Sequence, residues 1–188
     1  TLHPGISYRH LLVMKNAEPG ITTCAPHDIT GRTIESFLPK GPGAETIRNL
    51  MKSSQSLLKG HPLNRERINQ GKKPVSSIWL WGQGTAVQLP SFQEKYGLNG
   101  SVISAVDLIK GLGISAGLRS IEVPGATGYL DTNYSGKVTA ALTALATQDF
   151  VYLHVEAPDE ASHKGSFQEK INAIEDFDEK IVQPVFDA

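Results

Sequence analysis

Phe150-Val151-Tyr152-Leu153-His154-Val155 is an almost continuous apolar run, and the polar loop of residues 156–163 follows it at once. Runs of this kind are typical of strands in the middle of a parallel sheet, which helices cover on both faces. In α/β sheets the functional groups gather in the loops that follow the carboxyl ends of the strands. Residues 150–163 therefore predict a buried strand that leads directly into a site.

The rest of the second half of the chain alternates between strand-like and helix-like patterns. Its short β-branched runs and its helically spaced apolar residues predict strands at 101–104 and 120–123 and helices at 106–118, 134–146 and 166–185. Strands that alternate with helices predict βαβ units, with a parallel or mixed sheet covered by helices. An α/β fold is therefore expected.

The first half is less regular. The elements that we predict there are a strand at 7–14, helices at 43–59 and 63–70, and a short buried strand at 76–81. Residues 16–42 form a long loop rich in Pro, Gly, Thr and Asp, and loops of that length in a compact chain are usually functional. We expect a domain boundary near residues 85–100.

Composition excludes several classes of protein. The 188 residues carry 18 Lys and Arg against 19 Asp and Glu, which argues against the clustered basic surface that nucleic-acid binding requires. No apolar run approaches the roughly 20 residues of a membrane span. The single cysteine, Cys24, excludes an intrachain disulfide framework, and a reducing cytoplasm fits best. The chain starts without Met or a signal peptide and its last helical pattern runs to Ala188, so both ends look cut.

The clearest candidate site is the Asp-x-x-x-His pair formed by Asp159 and His163. On a helical turn this spacing places carboxylate and imidazole on one face, where a single cation could reach both. Such a donor pair suits Mn²⁺, Zn²⁺ or Fe better than Ca²⁺. The competing interpretation is that Asp159 or Ser162 caps a helix and that His163 is simply exposed. His154 and Glu156 at the strand end favour metal, but a catalytic metal needs about three protein ligands, so the chain offers half a site.

Four more polar residues lie beside strand ends or in the long loop: Arg9, His27, Asp28 and Lys110. Together they could hold an anionic substrate through charge-assisted hydrogen bonds, although each alone also fits an ordinary surface or capping residue. Neither G-x-G-x-x-G nor G-x-x-x-x-G-K-[ST] is present, so the sequence does not indicate a nucleotide-binding loop.

Six blocks of sequence carry a family resemblance: residues 8–13, 26–31, 77–84, 103–111, 125–134 and 154–163. The last of them reads His154-Val155-Glu156-Ala157-Pro158-Asp159-Glu160-Ala161-Ser162-His163. In this order the blocks resemble the archaeal-type, cofactor-independent phosphoglycerate mutase family of the alkaline phosphatase superfamily, some of whose members are labelled homoserine kinase-like. The resemblance extends over nearly the whole chain.

The resemblance implies an α/β architecture with two parts. Residues 1–90 would belong to an inserted α/β substrate domain, and residues 91–188 would be the central part of an alkaline-phosphatase-like α/β domain. It also implies an isomerase of glycolysis, which interconverts 3- and 2-phosphoglycerate through a phosphoserine at a dimetal site. The divalent metal is usually Mn²⁺, with Zn²⁺, Co²⁺ or Mg²⁺ as alternatives.

The resemblance also implies roles for the candidate residues. By position, Asp159 and His163 match a pair of metal ligands, and Lys110 matches a catalytic position near the phosphoryl group. The residues implied to face the substrate are Arg9, His27 and Asp28.

The family's Asp-bearing first strand, its nucleophilic serine segment and its final Asp-His pair have no counterpart in these 188 residues. We therefore expect an internal fragment of a cytoplasmic enzyme, inactive by itself, whose partner is a small phosphorylated metabolite and neither nucleic acid nor membrane. Two alternatives stay open. One is a metal-dependent phosphohydrolase of the same superfamily, and the other is a non-catalytic module that binds a phosphorylated metabolite.

Overall fold

A computed structural model of the protein describes residues 1–5 and 9–188. The chain divides into two units, the first formed by Thr1 and Leu12–Ala86 and the second by Leu2–Leu11 and Val87–Ala188. The assignment of residues 1–90 to an inserted substrate domain and of 91–188 to a catalytic domain stays a prediction. None of the helices in the described part of the chain is both long and apolar enough to cross a membrane.

The second unit is built on a parallel sheet of three strands. Its elements, with one strand pair from the start of the chain, are β1 (Leu2–Pro4), β2 (His10–Leu12), α3 (Phe92–Tyr96), β3 (Gly100–Ile103), α4 (Asp107–Ser115), β4 (Arg119–Ile121), α5 (Tyr134–Leu145), β5 (Phe150–Leu153), α6 (Ala157–His163), α7 (Phe167–Phe177) and α8 (Gln183–Phe186). The strand order is β4-β3-β5, and both pairings are parallel. The predicted α/β alternation with a parallel sheet is confirmed.

The centre of this sheet is β3, whose four residues are all buried, whereas β5 lies at an edge of the described sheet. The expectation that residues 150–155 form the middle strand is wrong. β3 is more buried because it pairs on both sides and because α4 and α5 pack against it. The N–H of His154 donates to the carbonyl of Ile103 at 2.8 Å, so β5 stays beside β3 up to the start of the functional loop.

Two apolar clusters hold the helices in the second unit. Tyr134 and Val138 of α5 pack with Ile181, and the alanines of α6 pack with Ala173 of α7. The predicted helix over 166–185 is interrupted, because residues Asp178–Val182 form π-helical turns before α8 begins. Pro184 explains the interruption, since proline has no N–H to donate and its ring clashes with the carbonyl four residues earlier.

The first unit contains α1 (Ala44–Lys59), α2 (Pro62–Asn69) and two short 3-10 turns, Pro26–Ile29 and Glu35–Phe37. Both predicted helices are confirmed. The long loop is closed by a bridge in which the backbones of Thr22 and Lys40 exchange two hydrogen bonds. Of the predicted strand at 7–14, the structure has β2, while Ser7 and Tyr8 lie outside the described residues.

The predicted buried strand at 76–81 is wrong, because residues 72–91 contain neither helix nor strand and Trp81 is 45% exposed. Side chains take the place of a neighbouring strand here. The N–H of Ile78 donates to Ser54 Oγ of α1 at 3.0 Å, and the N–H of Val75 donates to Asn64 Oδ1 of α2 at 2.8 Å. The apolar run therefore lies extended along the helices and makes no sheet.

Candidate metal centre

The loop after β5 folds into α6, and its local sequence explains why. Glu156 is the N-cap residue, and its carbonyl accepts the N–H groups of Asp159 at 2.9 Å and Glu160 at 3.2 Å. Carboxylates in the first turn and His163 in the last turn both complement the helix dipole. Buried alanines on the opposite face lie against α7, which leaves the polar face of α6 to solvent.

On that face the carboxylate of Asp159 lies 3.2 Å from the imidazole of His163, measured from Oδ2 to Nε2. Both side chains are more than half exposed. Two ligands bound to one cation at about 2.1 Å, at tetrahedral or octahedral angles, lie roughly 3.0–3.4 Å apart. The spacing and the oxygen-plus-nitrogen donor set therefore fit a shared divalent cation.

The pair makes part of a site only. Among residues 1–5 and 9–188, no three His, Cys, Asp or Glu side chains come together as metal ligands. The competing interpretation is half right: His163 is exposed, but neither Asp159 nor Ser162 caps the helix. The Ser162 hydroxyl instead donates back to the carbonyl of Pro158 at 2.9 Å.

His154 and Glu156 form a separate, mostly buried pair at the start of α6. His154 Nε2 lies 3.1 Å from a Glu156 carboxylate oxygen, and its Nδ1 lies 3.1 Å from Ser104 Oγ. Burial lowers the pKa of His154, and the neighbouring Glu156 carboxylate opposes that shift. These residues connect the ends of β3 and β5 to the start of α6.

Lys137 is a functional candidate that the sequence analysis missed. Its side chain is fully buried, and its Nζ donates to the carbonyl of His154 at 3.0 Å. Burial lowers the pKa of Lys137, while the carboxylate of Glu156 raises it in part. The sequence held one signal: Lys137, Val138 and Ala141 follow Tyr134 at spacings of three, four and seven residues, so all four share one helical face.

The candidate substrate residues fall in both units. In the second unit, the Arg9 guanidinium donates to the Glu160 carboxylate of α6 at 3.4 Å, and Lys110 Nζ lies 2.7 Å from the carboxylate of Glu122. Arg9 thus contacts the helix that carries the candidate metal pair.

In the first unit, His27 and Asp28 share one 3-10 turn, with Nε2 and Oδ1 3.7 Å apart. The His27 ring also meets the ring of Trp81 edge-on, with 5.4 Å between centroids. The structure therefore brings Arg9 beside α6 and brings His27 beside Asp28.

Comparison with known proteins identifies the family of the chain. A family model described as "Metalloenzyme superfamily" matches residues 13–188. A Geobacter sulfurreducens protein named a probable 2,3-bisphosphoglycerate-independent phosphoglycerate mutase is 58% identical over 97% of the chain and 46% of its own length. A Methanosarcina acetivorans protein named 2,3-bisphosphoglycerate-independent phosphoglycerate mutase is 56% identical over the same shares. The chain thus spans less than half the length of these relatives.

Solved structures match as well. A protein from Pyrococcus horikoshii aligns with a TM-score of 0.64 and 29% identity over 77% of the chain and 38% of its own. The cofactor-independent phosphoglycerate mutase of Thermoplasma acidophilum aligns with a TM-score of 0.51 and 23% identity over 95% of the chain and 49% of its own, a likeness of fold.

Proposed function

Because the chain belongs to the Metalloenzyme superfamily, we propose that it is a segment of a 2,3-bisphosphoglycerate-independent phosphoglycerate mutase, which isomerises 3-phosphoglycerate to 2-phosphoglycerate. The observation that carries the proposal is the 3.2 Å pairing of Asp159 with His163 on the exposed face of α6. Support comes from relatives with that name, which are 54–58% identical over nearly the whole chain. The activity belongs to the longer protein, of which this segment supplies part of the site.

In the proposed enzyme, Asp159 and His163 would hold one divalent cation, which we expect to be Mn²⁺ because a hard oxygen and a borderline nitrogen suit it. A bound cation would supply positive charge against the phosphoryl oxygens and lower the pKa of an attacking hydroxyl. The contribution of α6 is to keep the carboxylate and the imidazole on one face and one turn apart. The remaining metal ligands and the nucleophilic serine belong to the longer protein.

We assign Arg9 to the anionic groups of the substrate. Its ion pair with Glu160 is long, at 3.4 Å, and the guanidinium side chain is 48% exposed. Exposed ion pairs contribute little, so a phosphate or carboxylate that offers two parallel hydrogen bonds could displace Glu160. Lys110 is assigned to the phosphoryl group, and His27 and Asp28 to the substrate's carboxylate and hydroxyl.

Glycolysis is the pathway and the cytoplasm the compartment that we propose. The mutase names of the relatives support the pathway, and the use of a single cysteine is typical of a reducing compartment. The homoserine kinase-like label has no separate support in the site and stays a prediction.

The test is a mutase assay on the full-length protein that contains this chain, without 2,3-bisphosphoglycerate and with added Mn²⁺. We expect isomerisation that a chelator abolishes and that Asp159→Asn and His163→Ala each lower by at least about 10²-fold. His3→Ala, at an exposed position on β1, is the matched control. Release of inorganic phosphate without isomerisation would favour a phosphohydrolase. Substrate binding with no turnover would favour a binding module.

A further inference from the structure

We propose that Lys137 is a positioning residue for the Asp159–His163 pair: from inside the second unit it holds the turn between β5 and α6, and so determines where α6 begins. The inference rests on the proposed function, because it concerns the same candidate metal pair. It goes beyond that function in assigning a role to a buried lysine that touches neither ligand.

The first step of the argument is that packing alone does not require a lysine at this position. Lys137 is fully buried, and a buried charge costs free energy unless other groups compensate for it. A methionine would fill a similar volume with no such cost. The lysine adds a charged hydrogen-bond donor, and its Nζ donates to the carbonyl of His154 at 3.0 Å.

The second step is that His154 is the anchor of the turn. Its N–H donates to the carbonyl of Ile103, and its ring lies 3.1 Å from Ser104 Oγ, so both its backbone and its side chain bind the end of β3. Lys137 binds the remaining backbone group, the carbonyl. With these three contacts, the residue that follows β5 is held on several sides.

The third step connects this anchor to the metal pair. The other ring nitrogen of His154 lies 3.1 Å from the carboxylate of Glu156, and Glu156 is the N-cap of α6. The carbonyl of Glu156 accepts the N–H of Asp159 at 2.9 Å. A continuous path of short contacts therefore leads from Lys137 through His154 and Glu156 to the backbone of Asp159. The Glu156 carboxylate also offsets the buried positive charge of Lys137.

Ser104, His154 and Glu156 also have the connectivity of a nucleophile, a base and an acid. The burial of Ser104 argues against that chemistry. Ser104 is 4% exposed, and its Oγ accepts the N–H of Val106 at 2.9 Å, so a substrate does not reach it. The cluster holds the turn in place.

The experiment compares Lys137→Met with Lys180→Met in the full-length protein. Lys180 is the control for the loss of a lysine, since its partners are Asp176 of α7, at 2.8 Å, and the ring of Tyr134 of α5. The two readouts are thermal unfolding and Mn²⁺ affinity, measured from the electron paramagnetic resonance signal of free Mn²⁺. We expect Lys137→Met to stay folded and to bind Mn²⁺ about 10-fold more weakly, as when groups that orient metal ligands are removed. Lys180→Met should leave Mn²⁺ affinity unchanged.

A folded Lys137→Met protein with wild-type Mn²⁺ affinity would overturn the proposal. If Lys137→Met does not fold, His154→Asn decides, because it keeps the backbone carbonyl that Lys137 binds, while its shorter side chain has no atom in the place of the Nε2 that contacts Glu156. That variant should weaken Mn²⁺ binding to a similar extent, and unchanged affinity would again overturn the proposal.

Failure of the proposed function would look different. In that case wild type itself would not bind Mn²⁺ through His163, so that His163→Ala would change nothing. The positioning role of Lys137 is then tested without metal, by measuring hydrogen exchange of the backbone amides of residues 160–164. Faster exchange there in Lys137→Met, with α1 unchanged, supports the positioning role, and unchanged exchange overturns it.

Discussion

Gly113 of α4 lies so close to Val102 of β3 that a Cβ on the glycine would be 2.5 Å from Val102 Cγ1. No real Cβ contact is that short, so a side chain at residue 113 would push α4 away from the central strand. We expect Gly113→Ala to lower the free energy of unfolding by about 1–3 kcal/mol through overpacking. The measurement is urea unfolding followed by circular dichroism.

Gly111, two residues earlier in α4, is the control for this prediction. A Cβ there would meet no atom within 4 Å, so Gly111→Ala should raise stability by about 0.5–1 kcal/mol through helix propensity. If both alanines had the same effect, close packing on Val102 would not be the reason for Gly113.

The second prediction concerns the contribution of Asn64, in the first unit, to stability. Its side-chain N–H₂ donates to the carbonyls of Leu58 at 2.8 Å and Val75 at 2.7 Å, and its carbonyl accepts the N–H of Val75. Asn64→Asp has the same shape but offers no donor to the two carbonyls. We expect a loss of about 2–4 kcal/mol of unfolding free energy, measured by urea unfolding. The control is Gln70→Glu, an amide-to-acid change at an exposed site at the end of α2, which should cost much less.

His154 makes stability depend on pH. Burial lowers its pKa in the folded chain below the ordinary value of 6.5, so the unfolded chain binds more protons between these two pKa values. The free energy of unfolding should therefore fall as the pH falls from above 6.5 through the lowered pKa. In His154→Gln the fall between pH 7.5 and pH 5 should be smaller. Urea unfolding at several pH values measures this fall in the free energy of unfolding. An equal fall in wild type and in His154→Gln would show that other groups cause the pH dependence.

The part of this fold that sequence predicts well is local. The α6 turn follows from Glu156 before a proline-containing segment and from acidic residues in the first turn, all within eight positions. The spacing of Asp159 and His163 then places both on one face, and no distant contact is needed. The same holds for α1, whose buried Ala44, Ile47 and Met51 recur at helical spacing.

What sequence missed depends on distant partners. Residues 76–81 have the pattern of a strand, but Ser54 supplies the hydrogen bond to Ile78 that a neighbouring strand would make. Lys137 is not among the residues predicted from sequence, because its burial depends on β5 and on the carbonyl of His154, 17 residues further along the chain. Helix and strand propensities are local and carry no information about partners that are distant in sequence. Contacts with such partners override the propensities.

The last prediction concerns Lys110, which binds the carboxylate of Glu122 at 2.7 Å. If Lys110 acts on the phosphoryl group, Lys110→Met should lower kcat of the full-length mutase by about 10²-fold, because one positive charge against the transition state is lost. Glu122→Gln breaks the same ion pair and keeps the lysine. Since Glu122 is 73% exposed, kcat should stay within about twofold of wild type in that variant. Equal losses in the two variants would mean that the ion pair matters and that Lys110 has no separate catalytic role.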